Sequence, residues 1–183
     1  MRPGEYKNGG TGRTILFTIA KCSLGFVLVG GTDDGICSVS MGNSEDELRR
    51  NLKLEFPRAT LLEDRQKLSA YVNQILCYID GSMEADLTSI PVDVRATAFQ
   101  QRVWMELKRI PFGSTKTYSE IAEGIGSPSA ARAVANACAS NPVALILPCH
   151  RVLRKDGSIG GYRWGLGRKE ALLAKESERA QSS

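Results

Sequence analysis

A cysteine and the only histidine of this 183-residue chain are adjacent, at Cys149 and His150. An apolar run at 143–147 precedes them, and a basic turn at 154–157 follows them. The thiolate is the reactive form of cysteine, and nearby positive charge favours it. At an ordinary pKa of about 8.5, only about 3% of a thiol is ionised at neutral pH. The pair therefore indicates a nucleophilic cysteine that needs an activating base.

His150 is the candidate base, and we expect it to act through a bridging water, because adjacent residues of an extended segment point to opposite sides. The base needs a group that orients it, and Glu176 is the best candidate. The predicted C-terminal helix places Glu176 on the same apolar face as Leu172, whereas Glu170 and Glu178 point more outward. A carboxylate on an apolar face usually has a partner.

The composition is that of an ordinary globular protein, with 42% apolar and 24% charged residues. No apolar run approaches the roughly 20 residues that span a bilayer. The first residues lack the apolar core of a secretion signal, so we expect a cytoplasmic protein. Five cysteines without CxxC spacing and a single histidine predict neither a disulfide framework nor a zinc site.

The charge is unevenly distributed along the chain. Residues 1–91 carry 10 Lys and Arg against 12 Asp and Glu, a net charge of −2, whereas residues 92–183 carry 14 against 8, a net charge of +6. The basic half also contains the Cys-His pair. A polyanionic partner for this half is consistent with the charge, although a generally basic surface would look the same.

The first half of the chain is predicted to combine a small antiparallel meander with two helices. Turn residues separate its three β-leaning runs. A capping box of Ser44 with Glu47 opens the first helix, and apolar residues spaced three and four apart form a second helix that stops at Gly81. The β-leaning runs are 15–19, 26–29 and 36–39.

The second half is predicted to contain a helix-turn-helix. Thr97 with Gln100 caps an earlier helix, and Thr117 with Glu120 caps the first helix of the pair. A glycine turn leads to a second helix over 129–138, with Ser127 as its N-cap and Pro128 at its first position. This helix is nearly all alanine around Arg132. It lacks the side chains that read the major groove, and its narrow surface suits the shallow minor groove.

Pro148-Cys149-His150-Arg151-Val152, after an Asn-Pro-apolar run, closely resembles the active site of O6-alkylguanine-DNA alkyltransferases. Residues 97–104 resemble the same family, and the resemblance covers about 13–178. Members of this family repair DNA by moving an alkyl group from guanine O6 onto their own cysteine. Flipping of the damaged base is physically necessary, because O6 lies inside the duplex.

The resemblance implies a role for each catalytic residue. Cys149 is the nucleophile and alkyl acceptor, His150 is the base acting through water, and Glu176 orients His150, as in a hydrolase triad. Asn141 is a hinge between the recognition helix and the cysteine segment. Tyr118 bonds to guanine N3 and contacts the phosphate that rotates.

The resemblance also implies the binding residues. Arg132 enters the base stack in place of the flipped nucleotide. Tyr162 packs on the base, the Arg163 amide donates to O6, and Trp164, where some relatives have glycine, narrows the pocket. The implied DNA contacts are Tyr118, Ser119, Ala130, Ala131, Arg132, Ala133, Ala135 and Arg151. The implied pocket residues are Val152, Tyr162, Arg163 and Trp164.

The expected architecture is of the α/β (α+β) class, with a ribonuclease H-like N-terminal lobe and a mostly helical, winged-helix-like C-terminal lobe. We expect no cofactor and no metal, since the histidines of the zinc site that some relatives carry are missing. The partner that the resemblance implies is double-stranded DNA with O6-alkylguanine or O4-methylthymine, and we expect a monomer to bind it without sequence preference. The predicted segments are a flexible tail at 1–12, lobes at 13–92 and 93–178, and a tail at 179–183.

Three alternatives remain from the sequence. A non-catalytic damage-binding module on this scaffold would lack Cys149, and a DNA-independent cysteine hydrolase would leave the helix-turn-helix unexplained. The chain could also be the C-terminal half of a bifunctional regulator, because residues 2–10 resemble the linker before this domain in adaptive-response proteins.

Overall fold

The structure is a computed structural model that describes residues 10–81 and 86–182. It forms two compact units, divided between Arg95 and Ala96. The sequence placed this boundary at 92, but the Asp93 N–H donates to Ile36 O and Val92 pairs with Ile36, so both residues belong to the first unit. The predicted tail and linker lie mainly outside the described residues. Of that tail, Gly10 is buried, and its carbonyl accepts from the Arg13 N–H, so 10–12 form a turn.

The first unit is built on a four-stranded sheet with the order β3-β2-β1-β4. β1, β2 and β3 form the predicted antiparallel meander, and β4 joins β1 in parallel. The short strand β4 was not predicted, because most of its residues are exposed and show no clear alternation. The strands are β1 Thr14–Cys22, β2 Gly25–Thr32, β3 Gly35–Gly42 and β4 Thr60–Glu63.

Two helices complete this unit: α1 (Glu45–Glu55) and α2 (Arg65–Asp80). Ser44 accepts from the Glu47 N–H at the start of α1, as predicted. Gly81 ends α2 in the left-handed conformation that glycine tolerates, with φ of 85°. The apolar faces of α1 and the sheet share one core cluster: Ile15, Phe17, Leu28, Cys37, Leu48, Leu52 and Phe56.

The second unit is mostly helical. Complete capping boxes begin two of its helices, at Thr97 with Gln100 and at Thr117 with Glu120, as predicted. Its elements are α3 Ala98–Lys108, β5 Lys116–Thr117, α4 Tyr118–Gly124, α5 Ala131–Ala139, β6 Val152–Leu153 and α6 Leu166–Ser182. β5 and β6 pair in parallel. The two units together confirm the predicted fold class.

Two predicted bounds in this unit are wrong. α5 begins at Ala131 rather than after Ser127, because the Ala130 N–H bonds to Ser127 O and closes a separate turn. α6 continues through Ser182, so residues 179–182 are helical rather than a tail. No helix among the described residues is long and apolar enough to cross a membrane.

Candidate active site

The apolar segment before Cys149 is fully enclosed, and Cys149 itself is 6% exposed. Leu145 has a φ of 71°, the one positive value among the non-glycine residues that the structure describes. Such a conformation is strained for leucine and persists only where packing enforces it. Residues Cys149–Arg151 form a 3-10 turn rather than the extended segment expected from the sequence. The side alternation of an extended segment therefore does not separate Cys149 from His150.

Asn141 ties this turn to the end of α5. Its side-chain amide Nδ2 donates to Leu147 O over 2.8 Å and lies 3.3 Å from Cys149 Sγ. Its Oδ1 accepts from the Val143 N–H over 2.9 Å. Because Asn141 is only 1% exposed, these bonds hold Cys149 in a fixed relation to the end of α5. This geometry is compatible with the predicted hinge.

His150 and Glu176 are in direct contact, as the spacing along α6 predicted. His150 Nε2 lies 2.7 Å from Glu176 Oε1, and both side chains are almost fully buried. The Gly113 N–H also donates to Glu176 Oε2 over 3.1 Å. These contacts hold the Glu176 carboxylate in place, and the carboxylate fixes the orientation of the imidazole.

Arg151 corrects one expectation from the sequence. Its Nε lies 2.9 Å from Glu176 Oε2 and 3.2 Å from Oε1, and its Nη1 donates to Ile110 O over 2.7 Å. Its guanidinium also lies over the Phe112 ring. Arg151 is 7% exposed, so it is part of the buried carboxylate site and not a DNA contact.

Burial shifts the pKa values of Cys149 and His150 in opposite directions. Burial raises the pKa of the Cys149 thiol, and the Asn141 hydrogen bond and the Lys169 charge oppose that rise. Burial lowers the pKa of His150, and the hydrogen bond and charge of Glu176 oppose that fall. Both groups therefore favour their neutral forms at rest, and proton transfer from thiol to imidazole must depend on their charged neighbours.

Tyr118, at the start of α4, packs against the loop before α6. A Cβ atom on Gly160 would lie 2.5 Å from Tyr118 Oη, so only glycine allows this approach. Burial raises the pKa of Tyr118 to about 12, with a further contribution from the charges of Cys138 and Cys149. Tyr118 therefore remains a neutral hydroxyl donor at physiological pH.

α5 presents two different faces. Val134, Ala137 and Cys138 are buried, and Trp104 Nε1 donates to Ala137 O over 3.0 Å. Arg132 and Ala133 are exposed on the opposite face. The other predicted DNA contacts on these helices are half-buried: Tyr118, Ser119, Ala130, Ala131 and Ala135. A smooth face around one arginine is therefore present, as the sequence indicated.

The predicted pocket residues lie around the segment that leads into α6. Trp164 is 8% exposed, and the exposed Arg163 guanidinium lies 4.7 Å from the centroid of its ring. Tyr162 is half-buried, and Val152 is fully buried with its carbonyl bonded to Lys169 Nζ. The buried ring of Trp164 is compatible with its predicted place in the pocket wall.

Sequence reasoning missed two residues of this site. Lys169 is completely buried, although lysine is usually a surface residue. Gly113, with a φ of 71°, approaches Ala180 so closely that a Cβ atom would lie 2.5 Å from the Ala180 Cβ. The signal for Lys169 was its spacing, since it precedes Leu172 and Glu176 by three and seven residues on one helix face. No cluster of three or more metal-ligating side chains occurs among the described residues.

Comparison with known proteins identifies the family. Residues 15–94 match the ribonuclease-like domain of 6-O-methylguanine DNA methyltransferase, and residues 98–178 match its DNA-binding domain. This chain belongs to the 6-O-methylguanine DNA methyltransferase family. The resemblance drawn from the Cys-His motif is therefore confirmed.

Three relatives within the 6-O-methylguanine DNA methyltransferase family illustrate the match. The bifunctional transcriptional activator/DNA repair enzyme Ada of Escherichia coli is 40% identical over 178 residues, which cover 97% of this chain and 50% of that protein. The inducible methylated-DNA–protein-cysteine methyltransferase of Bacillus subtilis is 40% identical over 166 residues, covering 91% and 86%. The crystal structure of Mycobacterium tuberculosis OGT in complex with DNA is 35% identical, with a TM-score of 0.74, covering 91% and 94%. The chain spans about half the length of the Ada proteins that it matches.

Proposed function

We propose that this chain repairs DNA by moving an alkyl group from guanine O6 to Cys149 Sγ. The observation that carries the proposal is the buried contact of 2.7 Å between His150 Nε2 and Glu176 Oε1, one residue from a cysteine whose Sγ faces Asn141. This arrangement lies within the part of the chain that matches the family's DNA-binding domain. A thiol, a base and an orienting carboxylate are the groups that nucleophilic catalysis requires.

Activation of the thiol begins with proton transfer to His150. Because Nε2 faces Glu176, Nδ1 is the ring nitrogen that takes the proton, through a bridging water. Glu176 stabilises the resulting imidazolium, and the Asn141 amide stabilises the thiolate. The thiolate then attacks the alkyl carbon. The S–C bond forms as the C–O6 bond breaks, and the bonding electrons pass to the guanine.

Departure of the guanine requires that its negative charge be neutralised. Tyr118 suits this role because its raised pKa keeps the hydroxyl protonated until the base needs a donor at N3. The backbone amide of Arg163 donates to O6 in the same step. Transfer of the Tyr118 proton to N3 lets guanine leave as a neutral base, and the hydrogen bond at O6 lowers the barrier to this departure. The proton that His150 took from Cys149 restores the Tyr118 hydroxyl through water, so the net change moves one proton from the thiol to the guanine.

DNA binding places the damaged base in reach of Cys149. The exposed face of α5 enters the minor groove of the duplex, and Arg132 fills the space that the flipped nucleotide leaves. Ala133 keeps this face smooth, so binding depends little on sequence. The substrate is double-stranded DNA with O6-alkylguanine or O4-methylthymine, and the protein acts as a monomer. The cytoplasmic location stays a prediction.

The product is a thioether, which has no hydrolysable bond, so each molecule reacts once. We test this by titrating methylated duplex DNA with the protein and measuring the O6-methylguanine that remains. Loss of the lesion should stop when one lesion has been removed per protein molecule, and Cys149→Ser should remove none. Continued loss beyond that equivalence would overturn the proposal, and so would full activity of Cys149→Ser.

A further inference from the structure

Lys169 is a buried cation that the proposed transfer does not use. Its side chain has no exposed surface, and its Nζ donates to Val152 O over 2.6 Å. Val152 follows the 3-10 turn that Cys149 begins, and its N–H donates to Cys149 O. An ammonium group loses most of its hydration on burial, and one neutral carbonyl does not replace it. A nearby negative charge would therefore stabilise the buried ammonium of Lys169.

The thiolate that Cys149 forms on activation supplies such a charge. Burial raises the pKa of the Cys149 thiol and lowers the pKa of Lys169, and the attraction between thiolate and ammonium opposes both shifts. Other titratable or charged groups also act on this pair. They are Tyr118 from α4, Cys138 from α5, His150 from the 3-10 turn, Arg154 after β6 and Arg163 before α6.

The position of Lys169 on α6 relates it to Glu176. Lys169, Leu172 and Glu176 are all buried, at intervals of three and four residues, so they form one inward stripe of the helix. The ammonium at one end of the stripe bonds to Val152 O, directly after the turn that contains Cys149, and the carboxylate two turns later contacts His150. Proton transfer from Cys149 to His150 creates a thiolate and an imidazolium, and α6 carries one opposite charge for each.

We propose that Lys169 is a positioning residue that supplies the buried counter-charge of the Cys149 thiolate, as Glu176 does for the His150 imidazolium. The proposal rests on the proposed function only in taking Cys149 as the nucleophile. It applies to the resting protein before DNA binds, so it can be tested without a damaged substrate.

The first test measures the pKa of the Cys149 thiol in wild type and Lys169→Met. Iodoacetamide modifies the thiolate form, and peptide mass spectrometry follows Cys149 separately from the other four cysteines across a pH series. We expect the thiol pKa of the variant to rise by about one unit, a tenfold smaller thiolate fraction at neutral pH. Lys155→Met removes the same charge from an exposed turn and should leave the thiol pKa unchanged. An unchanged thiol pKa in folded Lys169→Met would overturn the proposal.

The second test asks whether Lys169 stabilises the charge of the Cys149 thiolate or only holds Val152 in position through its hydrogen bond. On O6-methylguanine duplex DNA, the transfer defect of Lys169→Met should shrink as the pH rises, because the thiolate forms without help at high pH. A defect of the same size at every pH would contradict the proposal and indicate a purely structural role. A failure of transfer by the wild-type protein would instead count against the proposed function, and it would leave the iodoacetamide result standing.

A third measurement serves if Lys169→Met does not fold. Electrostatic coupling is reciprocal, so removing the thiol must lower the pKa of Lys169. Nuclear magnetic resonance of lysine labelled with carbon-13 at Cε gives this pKa in wild type and Cys149→Ala. We expect a lower pKa in Cys149→Ala, and equal values would overturn the proposal.

Discussion

Arg151 and Glu176 form a buried ion pair in which Arg151 Nε lies 2.9 Å from Glu176 Oε2. Glu176 also orients His150, so one carboxylate joins the base to the arginine that follows it in sequence. The arginine thus belongs to the internal charge network of the site, and its Nη1 also donates to Ile110 O.

Replacing Arg151 should therefore affect stability rather than DNA affinity. Arg151→Met leaves Glu176 buried without its cation, which should lower the free energy of unfolding by about 3–5 kcal/mol. Arg132→Ala is the matched variant, because Arg132 is exposed on α5. It should change stability by no more than about 0.5 kcal/mol but weaken DNA binding. Urea unfolding and fluorescence anisotropy with duplex DNA measure the two effects. If folded Arg151→Met lost as much DNA affinity as Arg132→Ala, the result would show that Arg151 contacts DNA directly.

The buried histidine should make stability depend on pH. Burial lowers the pKa of His150 in the folded protein, so the unfolded chain binds its proton first as the pH falls below about 6.5. Stability should thus be complete above that pH and be lost as the pH falls toward the folded pKa, by at most about 1.4 kcal/mol per pH unit. His150 is the only histidine, so His150→Gln should flatten this dependence. Urea unfolding midpoints across this range give the measurement, and an unchanged slope in His150→Gln would refute it.

The close approach of Gly160 to Tyr118 should be sensitive to a single methyl group. Gly160→Ala places a Cβ atom 2.5 Å from Tyr118 Oη, and displacing that hydroxyl should slow methyl transfer by about 100-fold. Gly161→Ala is the control, because its Cβ meets no atom within 4 Å. Single-turnover rates on methylated duplex measure both variants. Equal rates for the two alanine variants would show that the position of Tyr118 does not matter.

Trp164 should limit the size of the alkyl group. Its buried ring occupies space beside the segment of Tyr162 and Arg163, so we expect slow inactivation by O6-benzylguanine. Trp164→Gly should react about tenfold faster with this compound. Losing a buried tryptophan costs about 3–5 kcal/mol, so rates must be compared at a temperature where circular dichroism shows both proteins folded. Trp164→Phe, which keeps an aromatic ring, should lie between them. If Trp164→Gly reacted no faster with O6-benzylguanine than wild type, Trp164 would not be part of the pocket wall.

The sequence alone predicted the contact of Glu176 with His150, but it did not predict the buried positions of Arg151 and Lys169. Glu176 was predictable because helix spacing places it on an apolar face, where a carboxylate needs a partner. Arg151 was misassigned because the family resemblance alone placed it among the DNA contacts, and only tertiary packing reveals its buried partner. Lys169 obeyed the same spacing rule as Glu176, but the usual exposure of lysine concealed it.

The fold shows a similar division. Capping boxes at Thr97 and Thr117 gave correct helix starts because their hydrogen bonds are local. The predicted start of α5 was wrong because residues 127–130 close a separate turn. The local sequence there is compatible with either a turn or the first turn of a helix. Strand β4 was not predicted because its pairing with β1 joins residues distant in sequence.

Transfer of the alkyl group to Cys149 is tested most directly by following a labelled methyl group. The protein is incubated with duplex DNA whose O6-methylguanine carries a deuterated methyl, and peptides are then sequenced by mass spectrometry. We predict one labelled methyl per molecule on Cys149, absent from Cys149→Ala, which should still bind the duplex. A label on another residue, or none on a protein that binds the methylated duplex, would contradict the proposed chemistry.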